Sequence, residues 1–324
     1  MVARASRPFL TSANPISNNP VADLSKGIAF INDDYLPVGD ACIPVLDWGF
    51  LHSDATYDVA HTWRGRFFRI DDYLDRFHES MTKLRMSVPY SRAQIRSIMF
   101  ELVRRSGLRD AYVEIVCTRG MPAPGSRDPR SCTNRFFAFA IPFVWIADER
   151  MRAQGMNLLI SQQQRIPPES IDPRIKNYHW LDMVMALFEA YDGEADTAIL
   201  VDATGGLVEG PGFNIFARRG DTVITPAHGV LEGVTRETVL ELLSREALQV
   251  TPGPLPAAVA QAADEVFITS TAGGVMPVTR ISGKVIGDGL PGALTAKLNE
   301  AYWALHDDPD YSVAIDYREN ADEC

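Results

Sequence analysis

The sequence predicts a mixed α/β and α+β protein. The chain has 324 residues, which is more than one small core would use, so one large or two medium domains are expected. In the first half, short strand-like runs dominate and the helices are grouped between them, as in an α+β unit. In the second half, apolar runs are interrupted by single helices, and a polar stretch separates the two halves.

The first domain is predicted over residues 27–146. It follows a leader, residues 1–26, which is rich in Ser, Asn and Pro and is interpreted as an N-terminal arm. Two strands, GIAFIN and YLPVGD, are joined by a turn at residues 32–34. A longer strand over residues 55–63 turns at Gly65 into FFRI, its predicted partner.

Two helices and two further strands complete this domain. Apolar residues at helical spacing predict one helix over residues 71–86 and another over residues 91–106, which Gly107 ends. The strands YVEIVCT and FFAFAIPF flank the loop RGMPAPGSRDPRSCTN. A loop of this length inside a compact domain is usually functional or disordered.

The second domain is predicted over residues 156–324, after an interdomain linker at residues 147–155. It opens with the strand NLLIS and continues into SIDPRIKNYHWLDMVMALFEAY. That stretch places Lys176 between a loop closed by Pro173 and a helix that starts near Trp180. The lysine therefore has a fixed position in the fold.

Helical periodicity makes two further predictions in the second domain. In the helix after Trp180, one face is apolar and must pack against something; its residues are Leu181, Val184, Met185 and Phe188. In GVTRETVLELL, a helix is expected to start at about Thr235, with this threonine as its N-cap.

Composition excludes several classes of function. The formal net charge is −11, so nonspecific binding to nucleic acid or to an anionic membrane is not expected. A small molecule or another subunit is the expected partner. The four cysteines lack CxxC spacing, which argues against a zinc site or a disulfide framework and fits a reducing cytoplasm. No apolar run is long enough to span a bilayer, and residues 1–26 lack the apolar core of a signal peptide.

Four motifs supply candidate chemistry around Lys176, whose apolar neighbours predict burial and a nucleophilic amine. The N–H groups of GVTRETV could hold a phosphate, and STAGG offers a second anion cradle. Arg76 is a candidate counter-charge, and Glu209 lies in the bend EGPG. Each alone has a common structural explanation. Together they provide an amine, an acid for a heteroaromatic nitrogen and a split phosphate site, which pyridoxal phosphate requires.

The chain resembles the fold-type IV pyridoxal-phosphate enzymes of the branched-chain aminotransferase superfamily, and most of all the (R)-selective amine transaminases. The matching segments cover nearly the whole chain after the leader and keep the family's order. They are DWGFLHSDATYDVAHTW, DDYLDRF, YVEIVCTRG, SIDPRIKNYHWLDM, EGPGFNIF, GVLEGVTRETV, STAGGVMPV and the YW that ends at Trp303.

This resemblance implies a fold, a cofactor and a set of site residues. The fold is a D-amino-acid aminotransferase-like one, with a small α+β domain and a larger pseudo-barrel domain, and family members are homodimers. Pyridoxal 5′-phosphate lies between the domains, with Lys176 as the Schiff-base lysine and Glu209 at the pyridinium nitrogen. The implied phosphate ligands are Arg76, Val234, Thr235 and Thr271. The implied substrate-binding residues are His52, Tyr57, Val59, Trp63, Tyr112, Glu114, Arg127, Trp180 and Ala272.

The implied activity is transfer of an amino group from an arylalkyl or alkyl primary amine to a keto acid such as pyruvate, by way of pyridoxamine phosphate. Lys176 is the expected general base. We expect Arg127 to swing in for a carboxylate and out for an apolar group. D-amino-acid aminotransferase, branched-chain aminotransferase and an aminodeoxychorismate lyase-like enzyme remain alternatives.

Three features depart from the family's pattern. Pro211 stands where a serine is expected, and Tyr112 stands where phenylalanine is more usual. The loop segment SRDPRSCTN also differs, so Arg130 is an alternative to Arg127 as the carboxylate partner. The physiological amine, the degree of enantioselectivity and any assembly beyond a dimer are left open.

Overall fold

Strand-forming runs dominate the chain, and the computed structural model describes residues 23–318. Of the predicted arm, residues 1–22 lie outside the described residues, and Leu24–Lys26 forms one 3₁₀ turn. The strands are β1 Ile28–Ile31, β2 Asp34–Pro37, β3 Ala55–Trp63, β4 Arg66–Phe68, β5 Ala111–Met121, β6 Thr133–Pro142, β7 Met156–Gln164, β8 Thr197–Val201, β9 Gly206–Leu207, β10 Glu209–Gly210, β11 Phe213–Arg219, β12 Thr222–Thr225, β13 Gln249–Pro252, β14 Leu255–Pro256, β15 Glu265–Ser270, β16 Gly274–Ile281, β17 Lys284–Val285 and β18 Ser312–Ala314.

Helices lie between these strands in both halves of the chain. They are α1 Trp48–Leu51, α2 Ile70–Lys83, α3 Arg92–Ser106, α4 Glu149–Gln154, α5 Leu181–Asp192, α6 Val234–Leu243, α7 Ala257–Gln261 and α8 Ala293–Ala304. Short 3₁₀ turns add Val38–Asp40, Pro129–Ser131 and Leu305–Asp307. The two helices predicted in the first domain are confirmed, with ends shifted by a few residues.

The first sheet holds seven strands in the order β18-β4-β3-β5-β6-β1-β2. Its centre is the antiparallel pair β3 and β5, in which Val59 lies opposite Glu114. Every residue of β3 except Trp63 is buried, because α2 packs against one side of the sheet and the Lys176 loop meets the other. The predicted turn between β1 and β2 is confirmed, and Asn32 and Asp33 adopt positive φ there.

The second sheet has eleven strands, nine of them in the order β13-β12-β11-β15-β16-β7-β8-β9-β14. β7 runs parallel to both β16 and β8. Because parallel neighbours need a crossover, the chain between β7 and β8 forms the Lys176 loop and then α5, which packs on both strands. This crossover places the lysine beside the sheet.

The boundary between the two sheets falls between β6 and β7. The predicted linker, residues 147–155, contains α4. At the far end of the chain, β18 pairs with β4 and so returns to the first sheet. The assignment of residues 156–324 to one domain therefore stays a prediction with this departure at its C-terminal end.

The described residues do not cover the apolar face of α5, so its packing against a partner stays a prediction. The face formed by Leu181, Val184, Met185 and Phe188 is exposed, with Leu181 81% and Phe188 59% accessible. The helix instead buries Met183, Ala186 and Ala190 against the sheet. Small side chains allow the helix axis to approach the strands closely, so periodicity identified an apolar face that the described residues leave uncovered.

The predicted N-cap of α6 is wrong, although the helix starts within one residue of the predicted position. The helix begins at Val234, and Gly233 occupies the N-cap position in an extended conformation. Thr235 is therefore the second helical residue and does not cap the helix. Because Gly233 offers no side-chain acceptor, the N–H groups of the first turn stay available to another acceptor.

Candidate active site

A cavity of about 360 Å³ lies between the two sheets, in the size range of small-molecule sites. Eleven of the predicted site residues line it: Tyr57, Val59, Arg76, Tyr112, Lys176, Trp180, Glu209, Val234, Thr235, Thr271 and Ala272. They come from β3, β5, α2, the Lys176 loop, β10, α6 and the turn between β15 and β16. The structure thus brings together residues that are far apart in the sequence.

Lys176 is fixed by its own backbone. Its carbonyl oxygen accepts hydrogen bonds from the Tyr57 N–H at 3.1 Å and from the Thr56 hydroxyl at 2.7 Å. The Nζ atom lies 4.5 Å from the centre of the Tyr57 ring. Burial, assisted by the positive charge of Arg76, lowers the pKa of Lys176 to about 8. Near physiological pH, a substantial fraction of the protein molecules therefore carries Lys176 as a neutral, nucleophilic amine.

Glu209 presents a buried carboxylate to the cavity. One of its oxygens accepts from Arg165 Nε at 2.9 Å, and the other accepts from the Leu231 N–H at 2.8 Å. Burial raises the pKa of Glu209, whereas Arg165 and the Leu231 N–H act in the opposite direction. Arg165 also donates to Asp182 Oδ2 at 2.8 Å.

A second group of polar atoms lies where the predicted phosphate ligands meet. Arg76 donates to both carboxylate oxygens of Asp58, at 2.9 and 2.7 Å, and to the Glu232 carbonyl at 2.9 Å. These bonds hold the guanidinium beside the start of α6. The Thr271 hydroxyl lies 2.9 Å from the Tyr73 hydroxyl. The N-terminal N–H groups of α6 add a positive dipole end to the same part of the cavity.

A third part of the site consists of tyrosine side chains, Tyr57, Tyr112 and Tyr178, which we call the phenolic wall. The Tyr57 ring stacks on Tyr178 with centres 4.3 Å apart and planes within 2°. Tyr178 and Tyr112 donate hydrogen bonds to the two oxygens of Glu114, which is buried on β5. Burial raises the pKa of Glu114, and these two hydrogen bonds oppose the rise. Burial and the nearby Glu114 raise the pKa of both phenols, so both stay protonated and donate.

Four of the predicted substrate residues do not line the cavity in the single chain. His52 is exposed after α1, where it contacts Trp48 edge to face. Trp63 belongs to an aromatic cluster with Trp145 and Trp303. Arg127 is exposed on the loop between β5 and β6. Glu114 is connected to the cavity through Tyr112, which lines it.

Sequence reasoning missed Arg165 and Asp182. Arg165 follows the last residue of β7, and Asp182 lies in the first turn of α5. An arginine shortly after the predicted strand NLLIS is a signal that could have drawn attention to this position. Nothing in the local sequence places its side chain on Glu209, which lies forty-four positions away.

The residues present fit pyridoxal phosphate. A neutralisable amine, a buried carboxylate and an anion-binding helix start surround one cavity of suitable size. Thr269 Oγ1 is buried and has no hydrogen-bond partner within residues 23–318, and Thr269 lines the same cavity. An orphaned buried hydroxyl beside a cavity is typical of a site that takes a polar ligand.

Comparisons with known proteins agree with this arrangement. A sequence model of the family described as Amino-transferase class IV matches residues 55–281. The chain is 32% identical over 276 residues to a putative branched-chain-amino-acid aminotransferase of Methanocaldococcus jannaschii, covering 84% of this chain and 94% of that protein. It is 28% identical over 266 residues to a D-alanine aminotransferase of Bacillus licheniformis, covering 81% and 91%.

Solved structures extend the likeness to the fold. A branched-chain amino acid aminotransferase from T.th., solved with pyridoxamine 5′-phosphate, superposes with a TM-score of 0.84 at 25% identity, covering 90% of this chain and 99% of that one. The Escherichia coli branched-chain amino acid aminotransferase gives a TM-score of 0.85 at 22% identity, with 89% and 99% covered. The predicted fold class is confirmed.

Proposed function

The chain belongs to the amino-transferase class IV family, and from this premise we propose that it is an (R)-selective amine transaminase. It is an aminotransferase, and its cofactor is pyridoxal phosphate. The proposed reaction moves the amino group of an arylalkyl or alkyl primary amine to a keto acid such as pyruvate. The products are a ketone and an amino acid.

The charge inventory of the cavity supports an amine as the donor. Among the described residues that line the cavity, the cationic side chains are Arg76, Arg165 and Lys176. Arg76 is bonded to Asp58 beside the proposed phosphate site, and Arg165 is bonded to Glu209 and Asp182. The third cation is the reactive amine itself. An enzyme dedicated to amino acids needs a group that binds the substrate carboxylate permanently. The phenolic wall instead contains the carboxylate of Glu114, which would repel it.

Each residue of the site has a proposed task. Pyridoxal phosphate, when bound, supplies a carbonyl carbon that joins to amines and a ring that accepts an electron pair. Lys176 takes the proton from the substrate carbon as general base. Glu209 keeps a proton on the ring nitrogen, while Arg76, Thr271 and the first N–H groups of α6 hold the phosphate. Because Lys176 approaches from one side, the orientation of the substrate's two substituents in the cavity determines which enantiomer reacts.

Amino-acid aminotransferases are the second candidate. The relatives at 32% and 28% identity are named for branched-chain amino acids and for D-alanine. Incubation with pyruvate and each enantiomer of 1-phenylethylamine separates the candidates. We expect acetophenone from the (R)-enantiomer alone. Turnover of D-alanine or L-leucine together with no acetophenone from either enantiomer would contradict the proposal. Pyruvate release from aminodeoxychorismate without a keto-acid acceptor would instead identify the lyase.

Arg127 is the proposed mobile partner of the keto-acid carboxylate. It is exposed on the loop between β5 and β6, whereas Arg130 on the same loop is paired with Asp128 at 2.6 Å. Arg127→Ala should raise the KM for pyruvate far more than the KM for 1-phenylethylamine, because only the acid carries a carboxylate. Arg130→Ala is the matched control. Equal changes in both KM values for Arg127→Ala would refute the switch.

A homodimer is also proposed. Exposed apolar side chains lie on α5, at Leu181, Met185 and Phe188, and near α1, at Leu46 and Phe50. Exposed apolar groups of this kind usually mark an interface. Light scattering should give about twice the chain mass of 35.8 kDa, whereas a monomer at micromolar concentration would contradict this. No helix of the described residues is long and apolar enough to cross a membrane, and a cytoplasmic location stays a prediction.

A further inference from the structure

A row of three charged side chains leads from α5 into the cavity. Asp182 Oδ2 lies 2.8 Å from Arg165 Nη1, and Arg165 Nε lies 2.9 Å from Glu209 Oε1. The side chains of Arg165, Asp182 and Glu209 are 11%, 10% and 5% exposed. Ion pairs this far from water are weakly screened, so they act on each other's charge state.

Asp182 is itself firmly held. Its Oδ2 also accepts from the Ile166 N–H at 3.1 Å, and its Oδ1 accepts from the Met183 N–H at 2.8 Å. It lies in the first turn of α5, where the helix dipole favours a negative charge. Asp182 thereby fixes the position of Arg165.

Glu209 has both oxygens occupied by fixed donors, Arg165 and the Leu231 N–H. The carboxylate plane is therefore set before any ligand arrives. The charged side chains that face Glu209 are Arg165 and, across the cavity, Lys176. Without Arg165, burial would favour the neutral acid, which cannot stabilise a protonated ring nitrogen.

We propose that Arg165 is a positioning residue that keeps Glu209 ionised and correctly oriented toward the ring nitrogen of the cofactor, with Asp182 holding Arg165 in place. The inference rests on the proposed contact between Glu209 and that nitrogen. It adds that the contact depends on a side chain that touches neither cofactor nor substrate. Arg165 acts through Glu209, so its effect should vanish when Glu209 cannot ionise.

A double-mutant cycle tests this dependence. Apoenzyme of the wild type, Arg165→Met, Glu209→Gln and the double variant is titrated with pyridoxal phosphate by absorbance and fluorescence. At pH 7 we expect Arg165→Met to weaken cofactor binding at least about tenfold, the equivalent of one pKa unit on Glu209. In the Glu209→Gln background the same change should weaken cofactor binding by no more than about twofold, which is the range within which independent sites are additive. Equal costs in both backgrounds would overturn the proposal.

The pH dependence provides a second measurement. Removing Arg165 raises the pKa of Glu209 further above its ordinary value, so the neutral acid persists to higher pH. The ratio of variant to wild-type dissociation constants should then fall as the pH rises from 6 to 9. A ratio that stays constant over this range would indicate a merely structural role and would contradict the proposal. Arg165→Lys keeps one charge and should give an intermediate ratio.

A matched control is available on the same sheet. Arg218 pairs with the buried Glu265 at 2.7 Å, away from the cavity. Arg218→Met should lower thermal stability while leaving the affinity for pyridoxal phosphate and its pH dependence unchanged. If Arg165→Met does not fold, Asp182→Asn in the same cycle takes its place, with the same two expectations.

Failure of this inference can be separated from failure of the proposed contact. If Glu209→Gln binds the cofactor as the wild type does, the contact with the ring nitrogen is wrong. If Glu209→Gln is impaired and Arg165→Met is not, the contact stands and the role of Arg165 is wrong.

Discussion

Two buried glutamates lie near Lys176, one on each sheet. Glu114 lies on β5 of the first sheet, and Glu209 lies on β10 of the second. Burial raises the pKa of both, and the negative charge of each raises the pKa of Lys176. The two residues are alike in type, burial and effect on the lysine.

Their partners differ. Glu209 is bonded to a guanidinium and a backbone N–H, and Glu114 is bonded to the hydroxyls of Tyr112 and Tyr178. A guanidinium is permanently charged, so it favours one ionisation state of its neighbour. A phenol can donate to a carboxylate or accept from a carboxylic acid, so it tolerates both states. The second sheet therefore holds Glu209 in one charge state. The first sheet surrounds Glu114 with groups that tolerate either charge state, which suits the binding of substrates of different shape and polarity.

The largest expected difference between the two glutamates comes from neutralising each in turn. Glu209→Gln should lower kcat/KM by about 10²–10³-fold for every donor and acceptor, because it removes electrostatic stabilisation that all reactions share. Glu114→Gln should cost about tenfold, since it weakens two hydrogen bonds to a charged group, and the loss should differ between substrates. Steady-state kinetics with several amines and keto acids would measure both.

The two glutamine variants serve as controls for each other, because the substitution preserves volume in both. Similar circular dichroism and melting temperatures would show that the fold is retained. The distinction between the two glutamates would be wrong if Glu114→Gln lowered kcat/KM for all substrates by one common factor as large as that of Glu209→Gln.

Elements whose ends are determined by neighbouring residues were predictable from the sequence. Helix α3 is one example, because Ser91 and Gln94 form a capping box at its start and Gly107 adopts a positive φ at its end. Helix α5 is the opposite case, since its apolar periodicity is real and yet its buried face is the one with the small residues Ala186 and Ala190. Periodicity identifies apolar faces but not what covers them.

The site shows the same division. Lys176 and Glu209 stand in short distinctive motifs, and the structure brings both to one cavity. Arg165 and Asp182 come from separate elements, and their ion pairs form only when β7, β10 and α5 meet. Thr235 was placed as a helix cap because threonine favours that position, whereas Gly233 occupies it and leaves the N–H groups unmatched. Contacts between distant segments, and the lack of a side-chain cap on α6, depend on the tertiary structure, so local propensity does not predict them.

A smaller effect is expected on the titration of Lys176 itself. In the apoenzyme, labelling of Lys176 by an amine-reactive reagent should follow a midpoint near pH 8, because burial lowers its pKa to about that value. Both glutamine variants should move the midpoint to lower pH, since each removes a negative charge that stabilises the ammonium form. Mass spectrometry of the labelled peptide would follow the rate against pH.

This titration sharpens the comparison because it tests the property that the two glutamates share. Lys176→Arg provides the blank for labelling at that position. A midpoint that rises in either variant, or that lies at the ordinary value of a solvated lysine in the wild type, would contradict the account.

The smallest expected effect concerns the Tyr112 hydroxyl. Tyr112→Phe removes one of the two phenolic hydrogen bonds to Glu114 and leaves Tyr178 in place. A single such bond contributes about 0.5–1.5 kcal/mol, so the KM for amines should change by no more than about tenfold while kcat with pyruvate is retained. Tyr178→Phe is the matched variant, because it removes the other hydrogen bond to Glu114 and keeps the ring that stacks on Tyr57, so its effect should be of similar size. A common loss of kcat for every substrate in Tyr112→Phe would mean that the phenolic wall takes part in the step shared by all reactions, and the distinction between the two glutamates would fail.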